Sequence, residues 1–305
     1  MEAIEIKSFG DVDVLQAVEL AQPALKAKQV LVKNRAVAID PYDVKFVMGQ
    51  MGEADKLPLV PGSSVVGDVI AVGEAVTAFK VGDRVAATRH HHTYASEVVV
   101  GQSALALVPE AVNDAVAVAA TLGAAMGYQA IVEDLDVQSG QKVLIQGGAG
   151  AVGSAAVQVA LLRGAEVYAT ASPADFAYLQ SLGAVNVVDY HSDYEAELSE
   201  FDAVLDTIGR DVSIKSAKVL KAGGMLRTVQ AYDEALIAQY DIDAEFIFLQ
   251  GTGAQLAALL DLIAAGKVDI RIAQVSHFNL ANLRQAHQEM RKHAPKGKLV
   301  LSFVD

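Results

Sequence analysis

The first third of the chain carries short apolar runs that are separated by glycine- and proline-containing turns. These runs predict strands at Val30–Asn34, Val65–Val72, Arg84–Ala87 and Glu97–Val100. Turn residues stand between them, at Pro41, Pro58–Gly62 and Lys80–Asp83. Closely spaced short strands with such turns are typical of a compact β-domain.

Farther along the chain, strand-like runs alternate with helix-like runs. The predicted strands are Lys142–Gln146, Glu166–Thr170, Val185–Val188, Ala203–Asp206 and Met225–Val229. The predicted helices are Gly150–Arg163, Pro173–Leu182 and Asp211–Leu220. Strict alternation predicts an α/β fold in which a doubly wound parallel sheet has helices on both faces.

Four further segments complete the pattern. The tail predicts helices at Ala254–Ala265 and Leu280–Lys292, followed by a strand at Lys298–Phe303. The uncharged run Ala115–Val132 is rich in Ala, Gly, Val and Thr. Because its large apolar side chains are few, we interpret it as a buried helix with a glycine-containing turn and not as a membrane span.

Composition narrows the classes of function. The 305 residues include 24 Lys+Arg and 37 Asp+Glu, which gives a net charge of −13. This acidic balance argues against broad binding of nucleic acid or anionic lipid, since both need clustered Lys and Arg. Cysteine is absent, which excludes disulfides, thiol catalysis and zinc–thiolate sites. The N-terminus, MEAIEIKSFG, lacks the features of a signal peptide, and we expect a cytoplasmic protein.

A glycine-rich loop carries the sharpest functional signal. Gly148, Gly150 and Gly153 are spaced as G-x-G-x-x-G between a predicted strand and a predicted helix. In that context the glycines allow a tight turn, approach of the backbone to a pyrophosphate, and close packing of helix on strand. The N–H groups at the helix start would face the phosphates. The alternative is a glycine-rich turn that binds no ligand.

The residues after the next predicted strand bear on which dinucleotide binds. A site that prefers NAD usually places Asp or Glu about 20 residues past the first glycines, on the ribose 2′-hydroxyl. Thr170, Ala171 and Ser172 stand there, which favours NADP. We therefore expect NADPH as the coenzyme. Because no Arg or Lys is near and Asp175 follows, NADH is the alternative.

Several motifs occur in order over nearly the whole chain: LPLVPGSSVVGDVIAVGEAVTAFKVGDRV, AATLGAAMGYQAI, QGGAGAVG, LDTIG, LKAGGMLRTV and PKGKLVL. This series resembles the medium-chain dehydrogenase/reductase superfamily, and within it the zinc-independent quinone oxidoreductases of the zeta-crystallin-like branch. The resemblance implies a GroES-like catalytic β-domain from residues 1–113 and 255–305 and a Rossmann dinucleotide-binding domain from 114–254. It also implies an active site in the cleft between them.

The sequence departs from zinc-dependent relatives at their metal site. Those relatives carry His and Glu directly after the Pro-Gly of the PGSSVVG stretch, where this chain has Ser63 and Ser64. Their other ligand is usually a cysteine, so we expect no catalytic zinc. Without that Lewis acid, delivery of a hydride to an electron-poor quinone or conjugated enone is the feasible reaction.

The resemblance assigns cofactor-binding residues position by position. The pyrophosphate loop takes Gly148, Gly150, Ala151, Val152 and Gly153; the 2′-phosphate side takes Ser172 and Tyr190; the nicotinamide side takes Met126, Ile208, Gly209, Val229, Phe248 and Leu249; and Lys298 matches the basic residue after the C-terminal glycine. Relatives usually have Thr at the position of Met126 and a Lys shortly after Ser172, and neither stands here.

The stretch AIDPYDVKFVMG resembles the acceptor side of the family's site, with Asp40 where relatives have Asn. As catalytic candidates, Asp40 would orient the substrate or a bound water, Lys45 would approach the cleft, and Tyr42 would donate a proton. The alternatives are that Asp40 caps a helix beginning at Pro41 and that Tyr42 only packs.

Other conspicuous residues have structural interpretations. A solvated loop is expected for the histidine run His90, His91 and His92, and solvated charges for Asp233, Glu234, Asp241 and Asp243. The stretch AEFIFLQ, which contains Phe246, Phe248 and Leu249, predicts a strand at a sheet edge. In relatives that strand pairs with its copy in a second subunit, so the resemblance implies a homodimer.

The leading interpretation is an NADPH-dependent, zinc-independent reductase of quinones or similar activated alkenes. A second enzyme interpretation is a double-bond reductase of enoyl thioesters or alkenals, which the acceptor pocket alone would distinguish. A third is a nucleotide-binding protein without turnover that acts structurally or as a redox sensor.

Overall fold

The computed structural model describes residues 1–51, 54–184, 186–292 and 295–304. The chain forms two compact units. The first consists of Met1–Leu122, Gly251–Ala265 and Ile270–Asp305, and the second of Gly123–Gln250 and Gly266–Asp269.

The strands, in chain order, are β1 (Glu2–Ile6), β2 (Leu15–Glu19), β3 (Gln29–Ile39), β4 (Ser64–Val72), β5 (Arg84–Thr88), β6 (Glu97–Gly101), β7 (Leu105–Leu107), β8 (Lys142–Gln146), β9 (Glu166–Ala171), β10 (Asn186–Asp189), β11 (Phe201–Asp206), β12 (Leu220–Thr228), β13 (Ile242–Phe246), β14 (Ile272–His277) and β15 (Lys298–Ser302). The α-helices are α1 (Pro41–Val47), α2 (Asp114–Ala119), α3 (Ala125–Gln129), α4 (Ala151–Leu162), α5 (Phe176–Ser181), α6 (Asp211–Val219), α7 (Glu234–Ile237), α8 (Gly253–Ala264) and α9 (Leu280–Lys292).

The first unit is built around the long strand β3. Its sheet has the order β14-β15-β3-β4-β5-β7, and β6 also pairs with β3. Val30 and Val32 of β3 are buried in one apolar core, and Val37 and Ile39 are buried in another. β-Branched side chains suit such a strand because they pack well on a pleated, buried surface. The predicted β-domain is therefore confirmed, with the C-terminal strand β15 as a member.

The second unit contains a six-stranded sheet in the order β10-β9-β8-β11-β12-β13, and every neighbouring pair is parallel. Leu144, Phe201, Val204 and Leu226 form part of its core. The order reverses between β8 and β11, which is where dinucleotides bind in doubly wound sheets. The predicted Rossmann-type sheet is confirmed.

The run Ala115–Val132 differs from the expected helix with a turn. Helix continues from Asp114 to Asp134, with wider π-type turns at Ala120–Ala124 and Ala130–Asp134. Position 127, within this helix, needs a glycine because a Cβ there would stand 2.3 Å from the carbonyl oxygen of Val152. The helix is long and apolar enough to cross a membrane, but 72% of its most apolar window is buried within the protein.

Two of the element boundaries that differ from the predictions bear on the candidate site. The predicted helix Pro173–Leu182 begins with a 3-10 turn at Pro173–Asp175, and α5 follows it. Strand β13 ends at Phe246, so Phe248 and Leu249 lie beyond the edge strand in which the sequence placed them. Val185, the predicted start of the third parallel strand, lies outside the described residues.

Candidate active site

The predicted nucleotide-binding residues gather at one edge of the parallel sheet. Because the carboxyl ends of parallel strands meet at the same edge, the residues that follow these strands lie there together. The loops after β8, β9, β10, β11, β12 and β13 carry, in that order, Gly148, Ser172, Tyr190, Ile208, Val229 and Phe248. Sequence spacing alone could not show that these residues share an edge.

The glycine loop combines tight packing with one open position. Cβ atoms added at Gly148 and Gly153 would lie 2.8 Å from the Cβ of Ala169 and 2.3 Å from the carbonyl oxygen of Gly147, respectively. At Gly150, an added Cβ would meet only that same Gly147 oxygen, at 3.4 Å, among the residues that the structure describes. Gly148 and Gly153 are therefore needed for packing, whereas Gly150 leaves open space at the start of α4.

A network of buried polar side chains fixes the first residue of the glycine loop, Gly147. Thr170 Oγ1 accepts a hydrogen bond from the N–H of Gly147 (3.0 Å) and donates one to Gln146 Oε1 (2.8 Å). Gln146 Nε2 in turn donates to the Tyr194 hydroxyl (2.8 Å) and to Ser216 Oγ (3.1 Å). Burial raises the pKa of Tyr194 to about 12, so its phenol stays neutral. This network was not predicted from the sequence. Its signal in the sequence is a polar residue at or near the end of a buried strand, Gln146 in β8 and Thr170 in β9.

The loop after β11 is fixed by a buried carboxylate. Asp206 Oδ1 accepts from the N–H groups of Ile208 (2.8 Å) and Gly209 (2.9 Å), and Oδ2 accepts from Ser213 Oγ (2.6 Å). Gly209 has a φ of +78°, in the left-handed region that favours glycine. These bonds fix the backbone at Ile208, whose side chain is exposed.

The remaining nicotinamide-side candidates lie in three other segments of the second unit. Met126 is buried in α3, and Val229 follows β12. Phe248 is 70% exposed, and its ring meets that of Phe246 edge-on with 4.5 Å between centroids. Gln129 anchors this segment, because its Nε2 donates to the Phe248 carbonyl (2.9 Å) and its Oε1 accepts from the N–H of Gln250 (2.8 Å). Leu249, between these two anchored residues, is half-buried.

On the 2′-phosphate side, Ser172 is half-buried and Tyr190 is exposed. The Tyr190 ring lies on that of His191, with 3.9 Å between centroids. His191 Nδ1 lies 2.8 Å from Asp189 Oδ1, and hydrogen bonds from the backbone and ring of His191 lower the pKa of that carboxyl.

Lys298 lies in the first unit, where its ammonium donates to Asp40 Oδ1. Both side chains are almost fully buried. Asp40 also occupies the N-cap position of α1, which begins at Pro41. Its Oδ2 is buried and accepts no hydrogen bond within the described part of the chain.

Asp43 extends this cluster. Its Oδ1 accepts from Ser63 Oγ (2.5 Å) and its Oδ2 from the N–H of Asp40 (3.0 Å). Burial, and then the negative charge of Asp40, raise the pKa of Asp43 to about 7. Asp43 is therefore partly protonated near neutral pH.

A catalytic zinc of the kind that zinc-dependent relatives carry does not fit these residues. Ser63 is engaged with Asp43, and the ammonium of Lys298, which would repel a cation, occupies Asp40. In the ranges that the structure covers, no three His, Asp or Glu side chains form a group that could hold a metal.

Tyr42 and Lys45 are half-buried on α1. The Tyr42 ring lies 5.3 Å from that of His90 and 6.0 Å from that of His91, between centroids. The expectation of a wholly solvated histidine run is wrong for His91, whose half-buried ring packs 4.0 Å from that of Phe46. The reason is tertiary packing, and burial lowers the pKa of His91 to about 4.

Two of the charges expected in solvent have structural partners. Asp233 Oδ1 accepts from the N–H of Leu236 and so caps α7. Asp243 Oδ2 lies 2.7 Å from the guanidinium of Arg227, a buried residue of the neighbouring strand β12, and compensates its charge. Asp243 keeps an exposed side chain, but it is not simply a solvated charge.

Comparison with known proteins gives two matching family models. One, described as "Alcohol dehydrogenase GroES-like domain", matches residues 26–148, and the other, described as "Zinc-binding dehydrogenase", matches residues 182–301.

Individual relatives cover almost the whole chain. The chain is 31% identical to a 2-methylene-furan-3-one reductase from Solanum lycopersicum and 30% identical to an NADPH-dependent alkenal/one oxidoreductase, chloroplastic, from Arabidopsis thaliana. Each alignment covers 99% of this chain and 79% of the relative. Among solved structures, the quinone oxidoreductase from Coxiella burnetii has a TM-score of 0.91 and 29% identity, with 99% of both chains covered.

Proposed function

Because this chain belongs to the zinc-independent, quinone oxidoreductase-like branch of the medium-chain dehydrogenase/reductase family, we propose that it reduces quinones or similar activated alkenes with a reduced nicotinamide coenzyme. The observation that carries the proposal is the open position at Gly150, between glycines that the packing requires. This open position lies at the N-cap of α4, where the first backbone N–H groups of a helix have no intrahelical partner and can donate to a phosphate.

NADPH is the coenzyme that we propose. The backbone N–H groups of Ala151, Val152 and Gly153 begin α4 and would hold the pyrophosphate. Ser172 and Tyr190 would meet the adenosine side, and Met126, Ile208, Gly209, Val229, Phe248 and Leu249 the nicotinamide side. When bound, the reduced coenzyme supplies a hydride.

The acceptor takes up that hydride and one proton, so the protein must orient the acceptor and let a proton reach it. We propose that Asp40, Tyr42 and Lys45 serve these needs. Asp40 Oδ1 accepts from Lys298, and the buried Oδ2 would accept a hydrogen bond from a water or from the hydroxyl that a quinone gains on reduction. Tyr42 and Lys45, which carry transferable protons, are on the helix that Asp40 begins.

Two other functions remain candidates. The alkenal/one oxidoreductase among the relatives favours reduction of a conjugated carbon–carbon double bond. The buried Met126, where relatives have Thr, removes one hydroxyl from the nicotinamide side and favours a protein that binds nucleotide without turnover.

Following NADPH absorbance with three acceptors separates these functions. We expect oxidation of NADPH with 1,4-benzoquinone and 9,10-phenanthrenequinone. Faster turnover of a 2-alkenal would favour the double-bond reductase. A rise in melting temperature with NADPH, without consumption by any acceptor, would favour the non-catalytic function.

We also propose a homodimer that pairs two copies of β13. This strand ends the six-stranded sheet, and an unpaired strand edge is a template for pairing with another chain. Light scattering should give twice the chain mass of 32.0 kDa, and Phe246→Asp, at the end of β13, should shift the protein toward the monomer. A wild-type mass of 32.0 kDa would contradict the dimer. The cytoplasmic location stays a prediction, since one relative is chloroplastic.

A further inference from the structure

The turn after β9 directs a carboxylate onto a candidate contact for the adenosine 2′ position. Ser172 begins the 3-10 turn Pro173–Asp175, and the N–H of Asp175 donates to the Ser172 carbonyl (2.9 Å). The turn brings their side chains together, and Ser172 Oγ donates to Asp175 Oδ2 (2.8 Å). The Asp175 side chain does not cap α5, within the residues that the structure describes. The hydroxyl is thus already engaged with an anion.

The residues around the turn Pro173–Asp175 contribute a further negative charge and no Lys or Arg. Between Arg163 and Arg210 the chain contains neither Lys nor Arg. Strand β10 runs beside β9, with Asp189 opposite Ala171, so a second carboxylate stands at the end of the adjacent strand. Asp189 accepts two hydrogen bonds from His191, which hold it in place.

NADPH and NADH differ only at the 2′ position of the adenosine ribose. The adenosine ribose lies at the end of the second strand of such sheets, where a carboxylate accepts a hydrogen bond from the 2′-hydroxyl of NADH. NADPH carries a phosphate there, with a charge between about −1.5 and −2 by analogy with other phosphate monoesters. Asp175 would repel that phosphate and keep the Ser172 hydroxyl turned away from it.

We infer that Asp175 is a specificity-determining residue that weakens NADPH binding, so that this protein uses NADH as a second coenzyme with comparable affinity. The inference rests on the proposed function. It assigns to Ser172 and Asp175 together a role that Ser172 alone would not have, because a free serine would favour the phosphate.

Calorimetric titration of the full chain with NADPH and NADH tests the inference without turnover. The variant Asp175→Asn removes the charge and keeps an oxygen that can accept from Ser172. We expect wild-type Kd values within about tenfold of each other, and a Kd for NADPH that falls about tenfold in Asp175→Asn while that for NADH changes less than about twofold.

Glu166→Gln is the matched control. It removes one negative charge from the exposed first residue of β9, at the end of the strand far from Asp175. It should leave both Kd values unchanged. A second variant, Asp175→Ala, also frees the Ser172 hydroxyl and should tighten NADPH at least as much as Asp175→Asn.

Two results would overturn the inference alone: a wild-type preference for NADPH above about 100-fold, or NADPH affinity that neither Asp175 variant changes. Absence of binding by both coenzymes would instead overturn the proposed function together with this inference. Melting curves of each variant show whether a lost affinity reflects a lost fold.

Discussion

The ammonium of Lys298 lies on the carboxylate of Asp40 in the interior of the first unit, where the two side chains are 6% and 3% exposed. They are 258 positions apart in the sequence and join the start of α1 to the C-terminal strand β15. The buried ammonium of Lys298 therefore compensates the charge of Asp40, which stands where relatives have Asn.

This pairing predicts a strong coupling between the two residues. Lys298→Met leaves the Asp40 charge buried without its partner, and Asp40→Asn leaves Lys298 in that state. Each single change should lower the free energy of unfolding by about 3–5 kcal/mol. The double variant should cost less than the sum of the two, because it leaves no unpaired charge. Urea unfolding of all four proteins measures this, and strictly additive losses would show that the pair contributes no coupling.

The raised pKa of Asp43 predicts a loss of stability as pH rises. Between its ordinary value of 3.8 and about 7, the folded protein holds a proton on Asp43 that the unfolded chain has released. Stability should therefore fall across that window, by up to about 1.4 kcal/mol per pH unit from this group. Asp43→Asn, which resembles the protonated side chain, should remove this contribution. Urea midpoints at pH 5 and pH 7 give the comparison, and equal pH dependence in the two proteins would refute it.

His287 should act with the opposite sign. Its side chain is buried against the Tyr94 hydroxyl (3.0 Å), and burial lowers its pKa from 6.5 to about 4. Between these values the unfolded chain binds a proton that the folded protein does not, so stability should fall as pH drops from 6.5 to 4. His287→Gln keeps a partner for Tyr94 and should lose this dependence. If the variant and the wild type lose stability equally over this range, His287 does not titrate as described.

The glycine loop offers a matched pair of substitutions. At Gly153 a methyl group would lie 2.3 Å from the Gly147 carbonyl oxygen, so Gly153→Ala should lower the melting temperature by several degrees. Gly150 has a φ of −75° and room for a Cβ, so Gly150→Ala should fold normally. Its methyl group would fill the pyrophosphate space, and Kd for NADPH should rise about tenfold or more. Normal nucleotide affinity in Gly150→Ala would place the phosphates elsewhere.

The sequence was most informative where side-chain period and turn chemistry act locally. Strand β8 and helix α9 occupy the predicted residues, Lys142–Gln146 and Leu280–Lys292, because their apolar spacing is regular and their ends carry turn residues. Gly123 misled the prediction of a turn, since in the structure the helix continues through it. A Cβ there would lie 2.8 Å from the Cβ of Ala151, which is a packing reason that no local pattern reveals.

The candidate site shows the same division. The spacing of the loop glycines predicted where a nucleotide would bind, because that spacing reflects the backbone of one turn. The support from Thr170 and Gln146, the pairing of Asp40 with Lys298, and the packing of His91 on Phe46 all join residues that are distant in sequence or depend on tertiary packing. Such contacts are set by the topology of the sheets and not by a local period.

The central claim is that a reduced nicotinamide dinucleotide binds against the backbone of the glycine loop. Its most direct test is calorimetric titration of the wild-type protein and of Gly150→Ala with NADPH, at matched concentrations and with folding checked by melting curves. We predict saturable binding of one nucleotide per chain to the wild type and markedly weaker binding to the variant. Absence of heat with both NADPH and NADH, from a folded wild-type protein at millimolar nucleotide, would contradict the claim.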